Sequence, residues 1–373
     1  MVVFGEDWGG LPSSTMHLVT HLPGVNRVVW VNSIGLRRPK ITLSDLGRVA
    51  RKIGAAFRKR TPASRTPAPG PVIQPLVLPM ALSALGRRLN RWLLRRSVGG
   101  AARKAGLSRP VLWVSLPSAV DAIGAIDESA VVYYAGDDFT ALAGVDHARC
   151  AVLEAELAAR ADLILAASPV IAARFPAERT HVLPHGVDLG LFGTPAPRAA
   201  DMPEGKVAGY YGSLASWLDY DLIADTARRL PDWTFMFIGK VAADVPDADI
   251  AKLKTLPNVQ LLGPRRHHEL AGYAQHWTAG LIPFRDTAQI RASNPLKLRE
   301  YLAAGRPVVA TPFPALEPYA GEIAVTPDAA GFANALKASV HDGRKAARQS
   351  LVAGESWHAR AVEAAALIRG ITR

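Results

Sequence analysis

A single cysteine, Cys150, stands among 373 residues. One thiol excludes an internal disulfide and any cysteine-built metal knuckle, and it fits a reducing compartment better than a secreted one. Long apolar runs are missing too: no window reaches the roughly 18 consecutive apolar residues that a spanning helix needs. The opening MVVFGEDWGG lacks a charged segment followed by an apolar one, which argues against a secretory leader. Acidic residues are scarce in one place. Between Gly35 and Ala105 there are seventeen Lys or Arg and one acid, Asp45, so that stretch carries +16 and, with a formal net charge of +12, the remaining chain sums to −4. A basic field confined to one stretch suits an anionic surface or an acidic ligand met by one domain. No recognition-helix pattern with a basic base-reading face is present, so nucleic acid is not an expected partner.

What is present is a chain with 49% hydrophobic residues, long enough for two domains with separate cores. Short β-rich runs alternate with helical patterns from end to end, which predicts βαβ units and parallel sheets. The first series of expected strands is Val2–Phe4, Arg27–Asn32, Val72–Leu78, Val111–Ser115, Val131–Ala135, Leu163–Ala166 and His181–Leu183. The second is Lys206–Tyr211, Thr234–Ile238, Val259–Leu262, Gly280–Pro283, Val308–Ala310 and Ile323–Val325. Between them Pro184 to Gly205 is rich in Pro, Gly and Asp, as a linker should be, and the domains are set at 1–188 and 189–355.

The basic stretch has its own order. Leu46, Val49, Ala50, Ile53 and Phe57 fall at helical spacing, and the Pro-rich run Thr61 to Pro71 cannot be helical. In ALSALGRRLNRWLLRRSV, Leu82, Leu85, Leu89, Trp92 and Leu93 line one face, with Arg87, Arg88, Arg91 and Arg95 mostly opposite. This reads either as an interfacial helix on anionic lipid, drawing on the basic segment 37–104, or as a domain helix with a solvated basic back.

The densest constellation is RASNPLKLREYLAAGRPVVAT, Arg291 to Thr311. It reads as a loop, a helix starting near Asn294 or Pro295, a stop at Gly305 and a buried strand, with Ser293 or Asn294 as cap and proline at the first helical position. Free N–H groups at such a start form an anion site aided by the helix dipole. Lys297 adds a full charge toward that anion, and Glu300, three residues on, shares its helix face. Phosphate at the tip and a carboxylate one turn below match a nucleoside diphosphate, the Glu accepting from ribose hydroxyls. A capped helix with a Lys–Glu pair matches the spacing equally well.

Together with GYYGSLASWLDYDLI, LPNVQLLGPRRHHELAGYAQHWTAGLIPF, YYAGDDFTALAG and LPHGVDLGLF, this run resembles GT-B glycosyltransferases of group 1, in a bacterial branch serving exopolysaccharide and cell-envelope assembly. The segments spread over most of the chain in the family's order. The resemblance implies an α/β fold of two Rossmann-like domains with parallel sheets facing across a cleft, and a terminal helix, 356–373, packed back on the first domain. It also implies sugar transfer from a nucleotide-sugar to a hydroxyl acceptor, either lipid-linked or a free saccharide. No cofactor or metal is expected, and the location expected is cytoplasmic, peripheral at the inner face of the plasma membrane.

Two departures matter. Ala292 stands where the retaining branch has the first of two glutamates, Glu300 matching the second. That branch also has an Arg and a Lys after the first C-terminal strand, where this chain has GSLASWLDY. The stereochemistry is therefore not carried over, and Lys297, with Lys240, must supply the charge.

Ligands of parallel sheets lie beyond the strands' carboxyl ends. That places Gly212, Ser213, Gly239, Lys240 and Arg265 at the donor, alongside Ser293, Asn294, Lys297 and Glu300. A solvated loop is the plain alternative for Arg265, and packing is the favoured reading of Trp217. The family puts acceptor contacts in the loop after the first strand, here Asp7, Trp8, Gly9 and Gly10, with His17 on the following helix; Asp7 reads equally as a turn residue. Asp137 and Asp138 follow a strand at the correct end, and adjacent carboxylates raise one another's pKa, so they are the candidate general base, a helix cap being the rival role. His185 is a further candidate. Asp219-Tyr220-Asp221 matches a D-x-D metal motif but lies in a helical pattern, and no G-x-G-x-x-G follows a strand. The rival functions are a sugar-nucleotide epimerase or hydrolase of the same fold and a non-catalytic polysaccharide-assembly factor.

Overall fold

The computed structural model describes residues 1–10, 12–34, 68–78, 82–141 and 146–372. The expected helix over Leu46 to Phe57 and most of the Pro-rich run lie outside these residues. The chain divides into two compact units, residues 1–184 with 360–373, and residues 185–359.

In the first unit the strands are β1 Val2–Phe4, β2 Val29–Val31, β3 Val72–Ile73, β4 Val111–Val114, β5 Ala130–Ala135, β6 Leu163–Ala166 and β7 Thr180–Val182. They form one parallel sheet in the order β3-β2-β1-β4-β5-β6-β7. From β4 to β6 nearly every residue is buried, as parallel strands covered on both faces require. The run from Val72 ends as a strand at Ile73. Its last residue turns to a helix instead: the Leu78 N–H donates to Asn90 Oδ1 at 2.7 Å and Asn90 Nδ2 donates to Leu78 O at 2.9 Å.

The second unit repeats the plan with β8 Lys206–Tyr211, β9 Trp233–Ile238, β10 Val259–Gly263, β11 Ala279–Ile282, β12 Val308–Ala310 and β13 Ala324–Val325. Their order is β10-β9-β8-β11-β12-β13, also parallel. In both units the strand order reverses beside the first strand, at β1/β4 and at β8/β11, and a crevice at the carboxyl ends there is where α/β sheets bind ligands. Glycine sets the packing beside β8. A Cβ on Gly209 would lie 2.0 Å from Trp277 Cε2, so the indole packs directly on the strand backbone.

Of the two readings of the basic helix Ala84–Lys104, the domain helix packed on its apolar face with a solvated basic back is not what is seen. Gly86, Asn90, Leu94, Val98, Gly99 and Ala102 are the residues it buries, whereas Leu85 is 81% and Trp92 57% exposed. The buried face runs at a four-residue spacing through Gly86, Asn90, Leu94, Val98 and Ala102, and Leu85, Leu89 and Trp92 are left facing water. Arg87 is not part of a solvated back either. It donates to Asp121 at 2.7 Å and, through both terminal nitrogens, to Glu156.

Candidate functional site

Three glycines end the first three strands of the second unit's sheet. Gly212, Gly239 and Gly263 follow or close β8, β9 and β10 with φ of 129°, 156° and 68°, values that side chains rarely allow. The Gly212 N–H donates to Ile238 O at 2.8 Å and the Gly239 N–H to Gly263 O at 2.9 Å. A Cβ on Gly239 would fall 1.8 Å from Gly212 O. Between Gly239 and Gly212 the row is backbone against backbone. Ser213 and Lys240 follow their glycines and are exposed.

Onto this row the Leu296–Ala303 helix brings Lys297. Its Cε lies 2.4 Å, and its Nζ 2.8 Å, from where a Gly212 Cβ would be, and the Nζ stands 5.4 Å from the Tyr210 ring centroid. Lys297 makes no ion pair with Glu300, so the plain Lys–Glu pair is not what the helix builds. Glu300 is 7% exposed and accepts from the Tyr211 hydroxyl at 2.6 Å. Burial raises its carboxyl above the usual range; the Tyr211 hydrogen bond and the charges of His267 and Lys297 oppose that. Tyr211 is held by aromatic neighbours: its ring centroid is 5.2 Å from Tyr301, 5.8 Å from Trp277 and 6.2 Å from Phe192.

The start of this helix differs from expectation. Pro295 is the N-cap rather than the first helical residue, and no side chain caps the end. Ser293 closes the preceding Ala288–Ala292 helix, its hydroxyl donating to Ile290 O at 2.8 Å. Asn294 Oδ1 accepts from Arg299 Nη1 at 2.6 Å. Sequence reading passed over Arg299, which is 3% exposed, ion-paired to Glu355 at 2.7 Å and 5.6 Å from the Tyr319 ring centroid. It pins the loop that leads into the helix, and the R in KLRE was its signal. The first-turn N–H groups have no intrahelical acceptor and no capping side chain, the condition for anion binding.

Other candidates fall into place less directly. Arg265 is held by Asp201 at 2.7 Å, the Tyr273 hydroxyl at 3.0 Å and Leu262 O at 2.8 Å. Trp217 is partly buried against the core. Asp219 caps the Tyr220–Arg229 helix through Leu222 N, so the D-x-D match begins at a helix cap rather than inside the helix. His185 is buried, and desolvation, then the Arg299 charge, lower its pKa to about 3, which keeps it neutral near pH 7.

In the first unit the loop after β1 is knit to the end of β2. Asp7 Oδ1 accepts from the Ser33 N–H at 3.1 Å and hydroxyl at 2.8 Å, and the Trp8 N–H donates to Asn32 Oδ1 at 2.9 Å. The Trp8 ring packs edge-on to Trp30 with centroids 4.9 Å apart. Gly9 turns the chain at φ 87°, and the Gly10 N–H donates to Asp7 O at 3.1 Å. His17 is half-buried on the Ser14–His21 helix, which Ser13 caps.

The two aspartates after β5 separate. Asp138 accepts from Arg174 at 2.6 Å and from the Thr140 N–H and hydroxyl, and Arg174 also bonds Glu154, which takes the Tyr133 hydroxyl. That network occupies Asp138. Asp137 is exposed at the surface. Desolvation, then Glu6, then Asp138 push its carboxyl up to about 6. Glu6, which sequence reading did not single out, has a buried Oε2 with no hydrogen-bond partner. Only the fold brings the carboxyl ends of β1 and β5 to one edge.

The family described as Glycosyl transferases group 1 matches residues 205–342. That segment, well under half of the chain, is similar to group 1 glycosyl transferases. A curated relative, the putative teichuronic acid biosynthesis glycosyltransferase TuaH of Bacillus subtilis, is 36% identical over 141 residues; the match takes in 37% of this chain and 35% of the relative. Among solved structures, Anabaena HepE in complex with UDP and glucose superposes with a TM-score of 0.68 at 16% identity, over 99% of this chain and 98% of HepE. Sucrose-phosphate synthase from Thermosynechococcus elongatus gives 0.68 at 16%, over 100% and 99%. These likenesses run the length of the chain, and the fold is GT-B. The three glycines, Lys297, Glu300 and Pro295 all lie within the segment that matches the family.

Proposed function

We propose that the protein transfers a sugar from a uridine diphosphate sugar to a hydroxyl of a lipid-linked saccharide, in assembly of an exopolysaccharide or another cell-envelope polymer. The observation that carries this reading is the meeting of Lys297 with the glycine row at the open start of the Leu296–Ala303 helix, with Glu300 one turn deeper. A diphosphate set there meets a full positive charge, free backbone N–H groups and the helix dipole, which together stabilise the charge on the departing nucleotide. The Glu300 carboxylate, now satisfied by Tyr211, is placed to take ribose hydroxyls. Asp137 serves as the general base on the acceptor, since its raised carboxyl suits proton transfer near neutral pH and Asp138 is held by Arg174. The reading assigns no step to a divalent cation, because Lys297 and the helix supply the charge. HepE's complex with UDP supports the donor class, and TuaH's role in teichuronic acid synthesis supports an envelope polymer. The outward Leu85, Leu89 and Trp92 beside Arg88 and Arg91 support attachment to the anionic cytoplasmic face of the plasma membrane.

The test is release of UDP from UDP-sugars in the presence of a membrane lipid extract. Lys297→Ala is expected to slow turnover on the order of a hundredfold, as loss of a transition-state cation does. Glu300→Gln is expected to raise the donor KM about tenfold, the cost of one hydrogen bond to a charged group. A chelator should leave the rate intact. Full turnover in both variants would remove the assignment.

A further inference from the structure

The amino-terminal edge of the first unit's sheet carries a recess that this reading does not use. It lies between the second half of the Ala84–Lys104 helix, the turn entering β4 and the turn entering β5, on the edge opposite Asp7 and Asp137. Its volume is about 740 Å³, within the roughly 300–1,000 Å³ of pockets that hold small ligands.

Two independent features mark it. The first is charge without a partner. The exposed side chains of Arg95, Arg103 and Arg109 line the recess, and none of them has a hydrogen-bond or ion-pair partner among the described residues. In the same unit Arg87, Arg160 and Arg174 are ion-paired, while the exposed Arg88, Arg91 and Arg96 are not; what distinguishes Arg95, Arg103 and Arg109 is that they converge on one recess. Asp127, also in the lining, is equally unengaged. The second is backbone conformation. Arg109 (φ 42°) and Asp127 (φ 57°) are the non-glycine residues of positive φ among those described, and both line this recess. Such conformations persist only where the surroundings hold them, and they gather at functional sites. Arg109 is further restricted by preceding Pro110. The Arg103 guanidinium lies over Gly99 and Gly100, at ordinary contact distance from where their Cβ atoms would be.

We propose that this recess is a second ligand site for a phosphate-bearing polyol, with the phosphate on Arg95, Arg103 and Arg109 and hydroxyls donated to the Asp127 carboxylate and the Ser108 hydroxyl. Unpaired guanidinium groups select phosphate or carboxylate. A bare phosphate would leave most of the volume empty. A nucleotide base would find no aromatic face in the lining to stack on. A sugar phosphate, or a phospholipid head carrying hydroxyls, satisfies cations and carboxylate together.

The experiment titrates the full chain with glucose 6-phosphate and with inorganic phosphate by calorimetry, and floats it with phosphatidylcholine vesicles containing phosphatidylinositol or, at equal charge, phosphatidylserine. The variant is Arg103→Gln with Arg109→Asn, asparagine tolerating the left-handed backbone. Saturable glucose 6-phosphate binding, tighter than inorganic phosphate and at least tenfold weaker in the variant, supports a free sugar phosphate. Preferential flotation on phosphatidylinositol, lost in the variant, supports the lipid head. Neither soluble binding nor a preference between the two vesicles, or binding undiminished in the variant, overturns the proposal. UDP affinity measured on the same samples reports the donor site alone: unchanged UDP binding in the variant shows a folded protein and separates this site from that one.

Discussion

At the scale of residues, the informative contrast is between Asp137 and Asp138, neighbours with the same chemistry and different surroundings. Arg174 and Thr140 bind one; desolvation and the Glu6 carboxylate act on the other. A base must be ionised to accept a proton, so activity is expected to rise with pH through about 6, the value to which Asp137 is pushed. The profile of kcat/KM against pH measures this, and Asp137→Asn should abolish both the limb and most of the rate. Because Glu6 raises the pKa of Asp137, Glu6→Gln should move the same limb toward acid without removing it. A limb that stays in place in Glu6→Gln would mean the two carboxylates do not communicate. Glu300 and Tyr211 make a comparable pair in the second unit. The tyrosine satisfies a buried carboxylate that would otherwise lack a donor, and leaving such a group unpaired costs on the order of 1–3 kcal/mol.

At the scale of elements, the Leu296–Ala303 helix shows how an omission becomes a site. Its N-cap is Pro295, which has no side-chain oxygen, so the first-turn N–H groups stay available. Serine at that position would accept from one of them. Pro295→Ser is therefore expected to stabilise the fold, by about 0.5–2 kcal/mol on the scale of N-caps, and to weaken UDP binding. Thermal unfolding and nucleotide titration on one preparation check both signs; a variant that binds UDP as tightly as the parent would show that the helix start does not hold the phosphate. The Ala84–Lys104 helix teaches the converse. Its apolar spacing is real, but the face it packs is a different one, Gly86, Asn90, Leu94, Val98 and Ala102, while Leu85, Leu89 and Trp92 stay exposed.

At the scale of the whole molecule, charge and apolar surface coincide on one unit. The helix that exposes Leu85, Leu89 and Trp92 also carries Arg88, Arg91, Arg95 and Arg96 outward, the combination that holds a protein at an anionic bilayer surface. Leu85→Ser with Trp92→Ser is expected to reduce flotation on phosphatidylglycerol vesicles at least tenfold while leaving UDP binding intact. Retained flotation would overturn this helix as a membrane-binding surface.

How much of this was legible beforehand depends on the range of the interaction involved. The two parallel sheets were written in the alternation of β-rich runs and helical patterns, because burial of strands on both faces leaves a continuous apolar signature at each one. The glycines at Gly212 and Gly239 could be read for the same reason, since a residue without a side chain after a strand marks close backbone approach. Lys297 and Glu300 were likewise visible as neighbours on one helix face. What sequence alone could not supply were meetings between distant segments: Glu6 with Asp137, Asn294 with Arg299 and Glu355, Tyr211 with Glu300, and Arg95 with Arg109 and Asp127 around one recess. Local pattern fixes which residues share a face. Which faces meet, which carboxylates are desolvated and which arginines are left without partners are decided only when the sheet order brings remote strand ends to one edge.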